Sequence, residues 1–89
     1  MFKITTIPES TDSLVLRLEG RLLADSVGEL LTACGNAEGP QGRRVELDVA
    51  GLSFADVEGI ETLRRLATRG LKVANASPFV AELLRENRT

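Results

Sequence analysis

The side chains of this sequence that could most readily act in catalysis are carboxylates, several of which lie close together along the chain. Asp48 lies between Leu47 and Val49, and Asp56, Glu58 and Glu61 come soon after it. Two neighbouring carboxylates can act as general acid and general base if burial raises the pKa of one of them. Side chains at a solvated helix start do not meet that condition, and no glycine-rich phosphate loop accompanies them. We therefore predict no catalytic residue.

The residue types that are missing narrow the chemistry further. The chain has no His, Tyr or Trp, three Phe residues and one cysteine, Cys34. Without His, the Ser-His-Asp and Cys-His arrangements are excluded, together with most zinc sites. The scattered Phe residues offer no stacking platform for bases. This composition favours a binding module that uses no metal and no cofactor and is not an enzyme.

Length and charge indicate one small domain covering residues 1–89. A net charge of −2 with 43% hydrophobic residues is typical of a globular protein rather than a nucleic-acid binder. No apolar run is long enough to cross a bilayer, so we expect no direct membrane insertion. The segment Met1–Thr6 lacks the charged start and apolar stretch of a signal peptide. The single cysteine, Cys34, cannot form an internal disulfide, so the cytoplasm is the expected compartment.

Four segments have the composition of β-strands. They are Phe2–Ile7, Leu14–Glu19, Arg43–Val49 and Leu71–Asn75. The polar segment between the first two suits an antiparallel hairpin. In the second and third strands apolar residues alternate with charged ones, which is typical of a strand with one buried face. Gly20–Leu23 is predicted to lead into a helix, and Ala50–Ala55 is predicted to be a loop.

The first helix has a start signal and an apolar stripe. Ser26 and Glu29 have the spacing of a capping box, with Asp25 as the competing cap, and Gly35 is predicted to end the helix. The stripe comprises Val27, Leu30, Leu31 and Cys34. Cys34 is therefore predicted to be a small buried hydrophobe.

The second helix has charges that match its dipole. Asp56 is predicted to cap it and Gly70 to close it. The predicted buried face comprises Val57, Ile60, Leu63, Leu66 and Ala67. Glu58 and Glu61 lie in the first turn and three arginines lie later, and Glu61 is predicted to pair with Arg65 at the i,i+4 spacing.

The third helix completes the order β-β-α-β-α-β-α. Ser77 is predicted to cap it and Pro78 to be its first residue. Its inward residues are predicted to be Phe79, Val80, Leu83 and Leu84.

The repeated strand-helix-strand units require parallel pairing, so the fold class is α/β with a four-stranded mixed sheet. The alternating strands leave charged residues on the second face, so we predict helices mainly on one face. These residues are Arg17, Glu19, Arg44, Glu46, Asp48 and Lys72.

One segment resembles a known family. In Val45–Ile60 an apolar strand carrying acids is followed by Gly-Leu-Ser-Phe and then by Asp-x-x-Gly at a helix start. This pattern resembles the STAS domain, the module shared by bacterial anti-sigma factor antagonists and the tails of sulfate transporters. Leu16–Leu22 looks like the family's second strand, and Ala76–Val80 is similar to its turn into the third helix. Many members carry a further C-terminal strand or helix, and we expect that piece to be lacking here.

The resemblance implies a phosphorylation site that this chain does not keep. In anti-sigma factor antagonists the residue after the motif's Asp is a Ser or Thr, which a kinase-type anti-sigma factor phosphorylates to break the complex. Asp56 and Gly59 match the motif, whereas Val57 stands at the phosphoacceptor position and Glu58 also departs. Val57 cannot be phosphorylated, and the surrounding carboxylates would repel an added phosphate.

Three interpretations of this departure remain open. The domain is a constitutive binder with Val57 as an apolar contact, or Glu58 supplies a permanent charge that imitates the modified form. In the third interpretation Asp56 only caps the helix, Glu58 only complements its dipole, and recognition lies elsewhere. The nearest hydroxyls that could carry a regulatory phosphate are those of Ser53 and Thr62.

The resulting functional hypothesis is a protein-protein interaction module of the antagonist type. Its predicted partner-binding residues are Asp56, Val57, Glu58, Gly59 and Glu61. The expected partner is a protein, such as a kinase-type anti-sigma factor, in signal transduction and transcription regulation. The alternative is a small cytoplasmic STAS-type regulatory subunit of a phospholipid ABC transporter. The chain is expected to be a monomer or a homodimer, with no nucleic-acid partner.

Overall fold

The computed structural model describes residues 1–86. Its elements are β1 (Phe2–Ser10), β2 (Ser13–Leu22), α1 (Val27–Glu38), β3 (Arg44–Ala55), α2 (Val57–Thr68), β4 (Lys72–Ala74) and α3 (Pro78–Arg85), with a 3-10 turn, Ala24–Ser26, before α1. The sheet has the order β1-β2-β3-β4. β1 is antiparallel to β2, while β3 is parallel to both β2 and β4. The predicted α/β class, element order and mixed four-stranded sheet are confirmed.

The core lies between one face of the sheet and the helices. Its least exposed side chains include Leu16, Leu18, Leu47 and Val49 from the strands and Leu30, Cys34, Leu63, Leu66 and Val80 from the helices. Full burial of a Leu side chain stabilises the fold by roughly 1.5–3 kcal/mol. Because apolar residues alternate along β2 and β3, the opposite face carries charged side chains. There Arg17 lies 4.0 Å from Asp48, and Glu46 stands opposite Lys72.

The strand boundaries differ most from prediction in β3. Ala50–Ala55 was predicted to be a loop, but β3 continues through it to Ala55. The register against β2 shifts between Arg17 and Glu19 and again between Gly20 and Arg21. Each shift places one extra residue in β3, as in a β-bulge, and so breaks the alternation of buried and exposed side chains. The loop prediction is wrong, because the two bulges hide the alternation by which a strand is identified in sequence.

The other strands differ at their ends. β1 and β2 run on until a two-residue turn joins them, so the predicted polar loop is mostly strand. β4 is shorter than predicted and comprises Lys72–Ala74 only. Strand ends depend on how far the neighbouring strand continues to offer hydrogen bonds, which the composition of one segment does not reveal.

Helix α1 differs from prediction at both ends. It continues past Gly35 to Glu38 because Ala37 is buried, and Gly39, at φ 63°, ends it in the left-handed region. At its start, Ser26 is the last residue of the 3-10 turn, has helical backbone angles and makes no capping hydrogen bond, so the predicted capping box is wrong. The predicted stripe also loses Leu31, which is 45% exposed.

Several predicted core residues of α2 and α3 are exposed. Val57 is 76% exposed and Phe79 is 51% exposed, and Ala67 also faces solvent. Val57 is the first residue of α2, where a helical side chain leans towards the N-terminus and therefore beyond the underlying strand. The predicted partner of Glu61 is also wrong, because its carboxylate lies 3.2 Å from Arg64 rather than pairing with Arg65.

Candidate functional site

The start of α2 is held in place by Asp56. One of its carboxylate oxygens, Oδ1, accepts a hydrogen bond of 2.8 Å from the backbone N–H of Gly59, which is the N-cap interaction. The other, Oδ2, accepts one of 2.9 Å from the backbone N–H of Ala24, in the 3-10 turn before α1. The Asp56 backbone N–H donates to the carbonyl of Leu22, at the end of β2. Asp56 therefore joins the entrances of two helices to the C-terminal end of β2.

Gly59 allows α2 to approach the end of β2 closely. A Cβ atom at Gly59 would lie 2.4 Å from the carbonyl oxygen of Leu22 and 3.0 Å from its Cγ. The first of these distances is far inside van der Waals contact and involves backbone, which cannot move aside cheaply. Asp56 and Gly59 of the Asp-x-x-Gly motif thus fix the position of the helix start.

Three of the predicted site residues on this helix start face outward. Val57 is 76% exposed, and Glu58 and Glu61 are also exposed. The structure brings all five predicted site residues together in the first turn and a half of α2. Gly59 is buried there, Asp56 is half-buried, and the other three form the accessible surface.

The two neighbouring hydroxyls are in different environments. Thr62 is 1% exposed, and its Oγ1 donates to the carbonyl of Glu58 over 2.8 Å. A kinase cannot reach a hydroxyl that is buried and bonded in this way. Ser53 lies on β3, is exposed, and donates to the carbonyl of Gly20 over 3.2 Å.

An apolar groove lies beside this surface, between α2 and α3. We call it the α2–α3 groove; its volume is about 530 Å³. It is lined by Phe54, Ala55, Asp56, Val57, Ile60, Glu61, Arg64, Phe79, Leu83 and Glu86. Its two most exposed apolar residues are Val57 and Phe79, so the groove opens to solvent along an apolar rim.

Aromatic stacking forms one wall of the α2–α3 groove. The rings of Phe54 and Phe79 have centroids 6.2 Å apart and planes 24° apart, which is a stacked arrangement. The guanidinium of Arg21 lies 5.6 Å from the centroid of the Phe54 ring, within the range of a cation–π contact. Phe54 at the end of β3 is thus fixed between an arginine and a second ring.

Arg64 connects the two helices that border the groove. Its guanidinium donates to the carbonyls of Leu84 over 3.1 Å and Leu83 over 2.8 Å, and also to the carbonyl of Glu86. These carbonyls lie at the C-terminal end of α3, where a helix lacks its own donors and its dipole favours a cation. Arg64 therefore caps α3 from α2, a role that its own helix pattern did not reveal.

Neither a metal site nor a reactive thiol is present in the described part of the chain. No group of His, Cys, Asp or Glu within residues 1–86 is arranged to hold a metal ion. Burial raises the pKa of the Cys34 thiol from its ordinary value of 9.0 to about 11, and Glu38 adds to this effect. The thiolate is thus disfavoured at neutral pH. None of the helices within the same residues is long and apolar enough to span a bilayer.

Sequence reasoning missed the part of the site that α3 contributes. Phe79 and Leu83 were assigned to the core and Arg64 to the dipole of its own helix, yet all three line the groove. No pattern in the sequence brings Phe54, which precedes the motif, together with Phe79 at the start of α3. Their proximity depends on tertiary structure, which a single sequence does not supply.

The fold, a mixed four-stranded sheet with three helices, is similar to the fold of the anti-sigma factor antagonist SpoIIAA. The structure of SpoIIAA in its unphosphorylated form has a TM-score of 0.69 and 21% identity, covering 93% of this chain and 82% of that one. An antisigma-factor antagonist STAS domain from Rhodobacter sphaeroides has a TM-score of 0.63 and 23% identity, covering 86% and 92%. A Shewanella loihica protein with a SpoIIAA-like fold has a TM-score of 0.58 and 12% identity, covering 88% and 69%.

The family itself is shown by sequence. The family model described as "Mlab, STAS domain" matches residues 5–88, which is nearly the whole chain. No curated protein matches the sequence. The chain belongs to the STAS domain family, and the resemblance identified from Val45–Ile60 is confirmed.

Proposed function

We propose that this STAS domain binds a protein partner constitutively through the start of α2, as an anti-sigma factor antagonist that cannot be switched at residue 57. The observation that carries the proposal is the exposure of Val57, 76%, at the tip of a rigidly held helix. Covering an exposed branched apolar side chain with a partner stabilises the complex, because it removes apolar surface from water. Val57, Glu58 and Glu61 form the contact surface, while Asp56 and Gly59 hold it in position.

Hydrogen bonding at the helix start argues against a phosphate at this site. The N-terminus of a helix attracts phosphate when its N–H groups are free. Here the carboxylate of Asp56 already accepts from the N–H of Gly59. Glu58 and Glu61 add negative charge beside it, which repels a second anion. The surface therefore favours a partner over a modification.

Glu58 as a permanent imitation of phosphate is the weaker explanation. Glu58 lies in the first turn of α2, where an acidic side chain stabilises the helix by complementing its dipole. The dipole thus accounts for an acid at this position without any signalling role.

A tagged full-length chain, used to recover partners from native lysate, tests the proposal. We expect Val57→Asp to weaken the recovered complex at least about tenfold, because it places a charge at the centre of an apolar contact. Leu31→Asp is the matched control, since Leu31 is also exposed but lies on α1. If both variants bind as tightly as the wild type, the interface lies elsewhere.

A second experiment tests the absence of the switch. The wild-type chain, incubated with ATP and its kinase-type partner, is expected to show no phosphate at residue 57 and no release of the complex. Phosphorylation of a Val57→Ser variant would show that the missing hydroxyl, rather than the surrounding carboxylates, prevents modification at this position. Phosphorylation of wild-type Ser53 accompanied by release of the partner would contradict constitutive binding.

A permanent subunit of a membrane transporter is the second candidate function. An exposed apolar residue that cannot be modified suits a standing complex, because permanent interfaces are more hydrophobic than transient ones. In this case the chain is a cytoplasmic regulatory subunit of a phospholipid ABC transporter. Recovery of an ATPase and a permease would support this candidate, whereas recovery of a kinase-like anti-sigma factor would support the first.

A further inference from the structure

The shape of the α2–α3 groove indicates a macromolecular occupant. Sites for small ligands are typically concave and bury most of the ligand surface. This groove instead has an open rim, where Val57 and Phe79 are both more than half exposed. Burial of such a rim contributes most to binding when the apolar side chains of the partner extend beyond the groove.

The hydrogen bonding around the groove favours a helical occupant over an extended one. An extended peptide binds by adding its backbone to the free edge of a sheet. Here the walls are formed mainly by side chains of two helices, and Arg64 already bonds the last carbonyls of α3. A helix satisfies its own backbone groups and needs only an apolar ridge to enter such a groove.

The charges around the groove determine the chemistry of that helix. Three carboxylates line the groove, those of Asp56, Glu61 and Glu86, and Glu58 is exposed on the first turn of α2 beside it. Arg64 pairs with Glu61 and bonds carbonyls of α3, and Arg21 lies over the Phe54 ring, so the lining keeps a net negative charge. Lys or Arg residues beside an apolar ridge would therefore face an acidic rim.

We propose that the α2–α3 groove binds an amphipathic helix of the partner protein, with an apolar ridge flanked by Lys or Arg. This inference rests on the proposed function, because it names the element of the partner that contacts the surface of Val57. It adds Phe79 and Leu83 of α3 to the interface. A second copy of this chain is disfavoured as occupant, because its net charge is −2 and the groove is acidic.

Two libraries of displayed helical peptides of about 15 residues test the chemistry of the occupant. Both carry Leu at the i, i+3, i+4 and i+7 positions, and one has Lys at the flanking positions where the other has Glu. We expect the full-length chain to enrich the Lys library only, and to bind selected peptides more weakly as salt is raised. Enrichment of neither library, or of the Glu library, would overturn the proposal.

Variants of Phe79 test the place of binding. Phe79→Asp is expected to weaken the selected peptides at least about tenfold, and Phe79→Ala to weaken them by less. Phe79 is half exposed and an acid near a helix start is favourable, so Phe79→Asp is expected to fold normally by circular dichroism. Unchanged affinity in both folded variants would place the peptides elsewhere and overturn the proposal.

Binding of the native partner to the Val57→Asp and Phe79→Asp variants distinguishes this inference from the proposed function. If Val57→Asp weakens the native complex and Phe79→Asp does not, the proposed function stands and the groove is not the docking site. If neither variant weakens it, the proposed function fails. A dimer in light scattering that Phe79→Asp dissociates would show a second copy in the groove and would also overturn the inference.

Discussion

Helices α1 and α2 have the same length, 12 residues, but they begin in different ways. α2 starts at Asp56, whose side chain caps the helix by accepting from the N–H of Gly59. α1 starts at Ser26, whose side chain makes no capping bond and donates only a long bond, 3.5 Å, to Asp25. The turn before α1 instead obtains an acceptor from Asp56, through the N–H of Ala24.

The difference shows that one residue organises both helix entrances. An N-cap side chain must lie within hydrogen-bond distance of particular backbone N–H groups. Residue type and spacing therefore identify candidate caps, but they do not show which of them the folded chain uses. Because Asp56 serves both entrances, changes at the start of α2 are expected to reach α1, whereas changes at Ser26 are expected to stay local. The predictions below test this asymmetry.

The largest expected effect is at Gly59. Gly59→Ala places a Cβ atom 2.4 Å from the carbonyl oxygen of Leu22, so α2 must move away from β2. We expect a loss of about 2–3 kcal/mol in the free energy of unfolding, measured by urea denaturation with circular dichroism. Gly28→Ala in α1 is the matched control, because nothing lies within 4 Å of the added atom. It is expected to increase stability by up to about 1 kcal/mol, so equal losses in both variants would contradict the close approach of Gly59.

The next effect is at Asp56. Asp56→Ala removes the cap of α2 and leaves the N–H of Ala24 without its acceptor, for a loss of about 2 kcal/mol. Amide hydrogen exchange is expected to increase at both Gly59 and Ala24. Asp56→Asn is the graded control, because Asn caps well but has only one acceptor oxygen, so it should lose about 1 kcal/mol. A change in exchange at Gly59 alone would mean that the entrances are independent.

A smaller effect concerns the middle of α1, where Cys34 is buried. Its pKa is raised to about 11 by burial, so the folded chain holds the proton more tightly than the unfolded chain, in which the pKa is near 9.0. This contribution to stability is fully present below pH 9 and is lost as the pH rises towards 11. We expect a loss of about 1 kcal/mol over the first pH unit above 9. Cys34→Ala should have a shallower slope in this range; an identical slope would refute the assignment.

Much of the fold was predictable because it depends on local patterns. The alternation in Leu14–Glu19 and the helical spacing of Leu63 and Leu66 identified elements whose buried faces are confirmed. The prediction of Ala50–Ala55 was wrong because β3 contains two bulges, and bulges depend on the neighbouring strand. The α3 side of the candidate site was missed for a related reason. Phe79 stacks on Phe54, and the sequence separation of these residues gives no indication of that contact.

The smallest expected effect is at Ser26, and it tests the asymmetry most directly. N-cap serines usually contribute about 1 kcal/mol, but Ser26 bonds no backbone N–H of α1, so Ser26→Ala is expected to change stability by less than about 0.5 kcal/mol. Ser77→Ala is the positive control, because Ser77 accepts from the N–H of Val80 over 3.2 Å, and it should lose about 1 kcal/mol. Equal losses in the two variants would mean that Ser26 caps α1 in solution. The start of α1 would then not depend on Asp56, and the link between the two helix entrances would be lost.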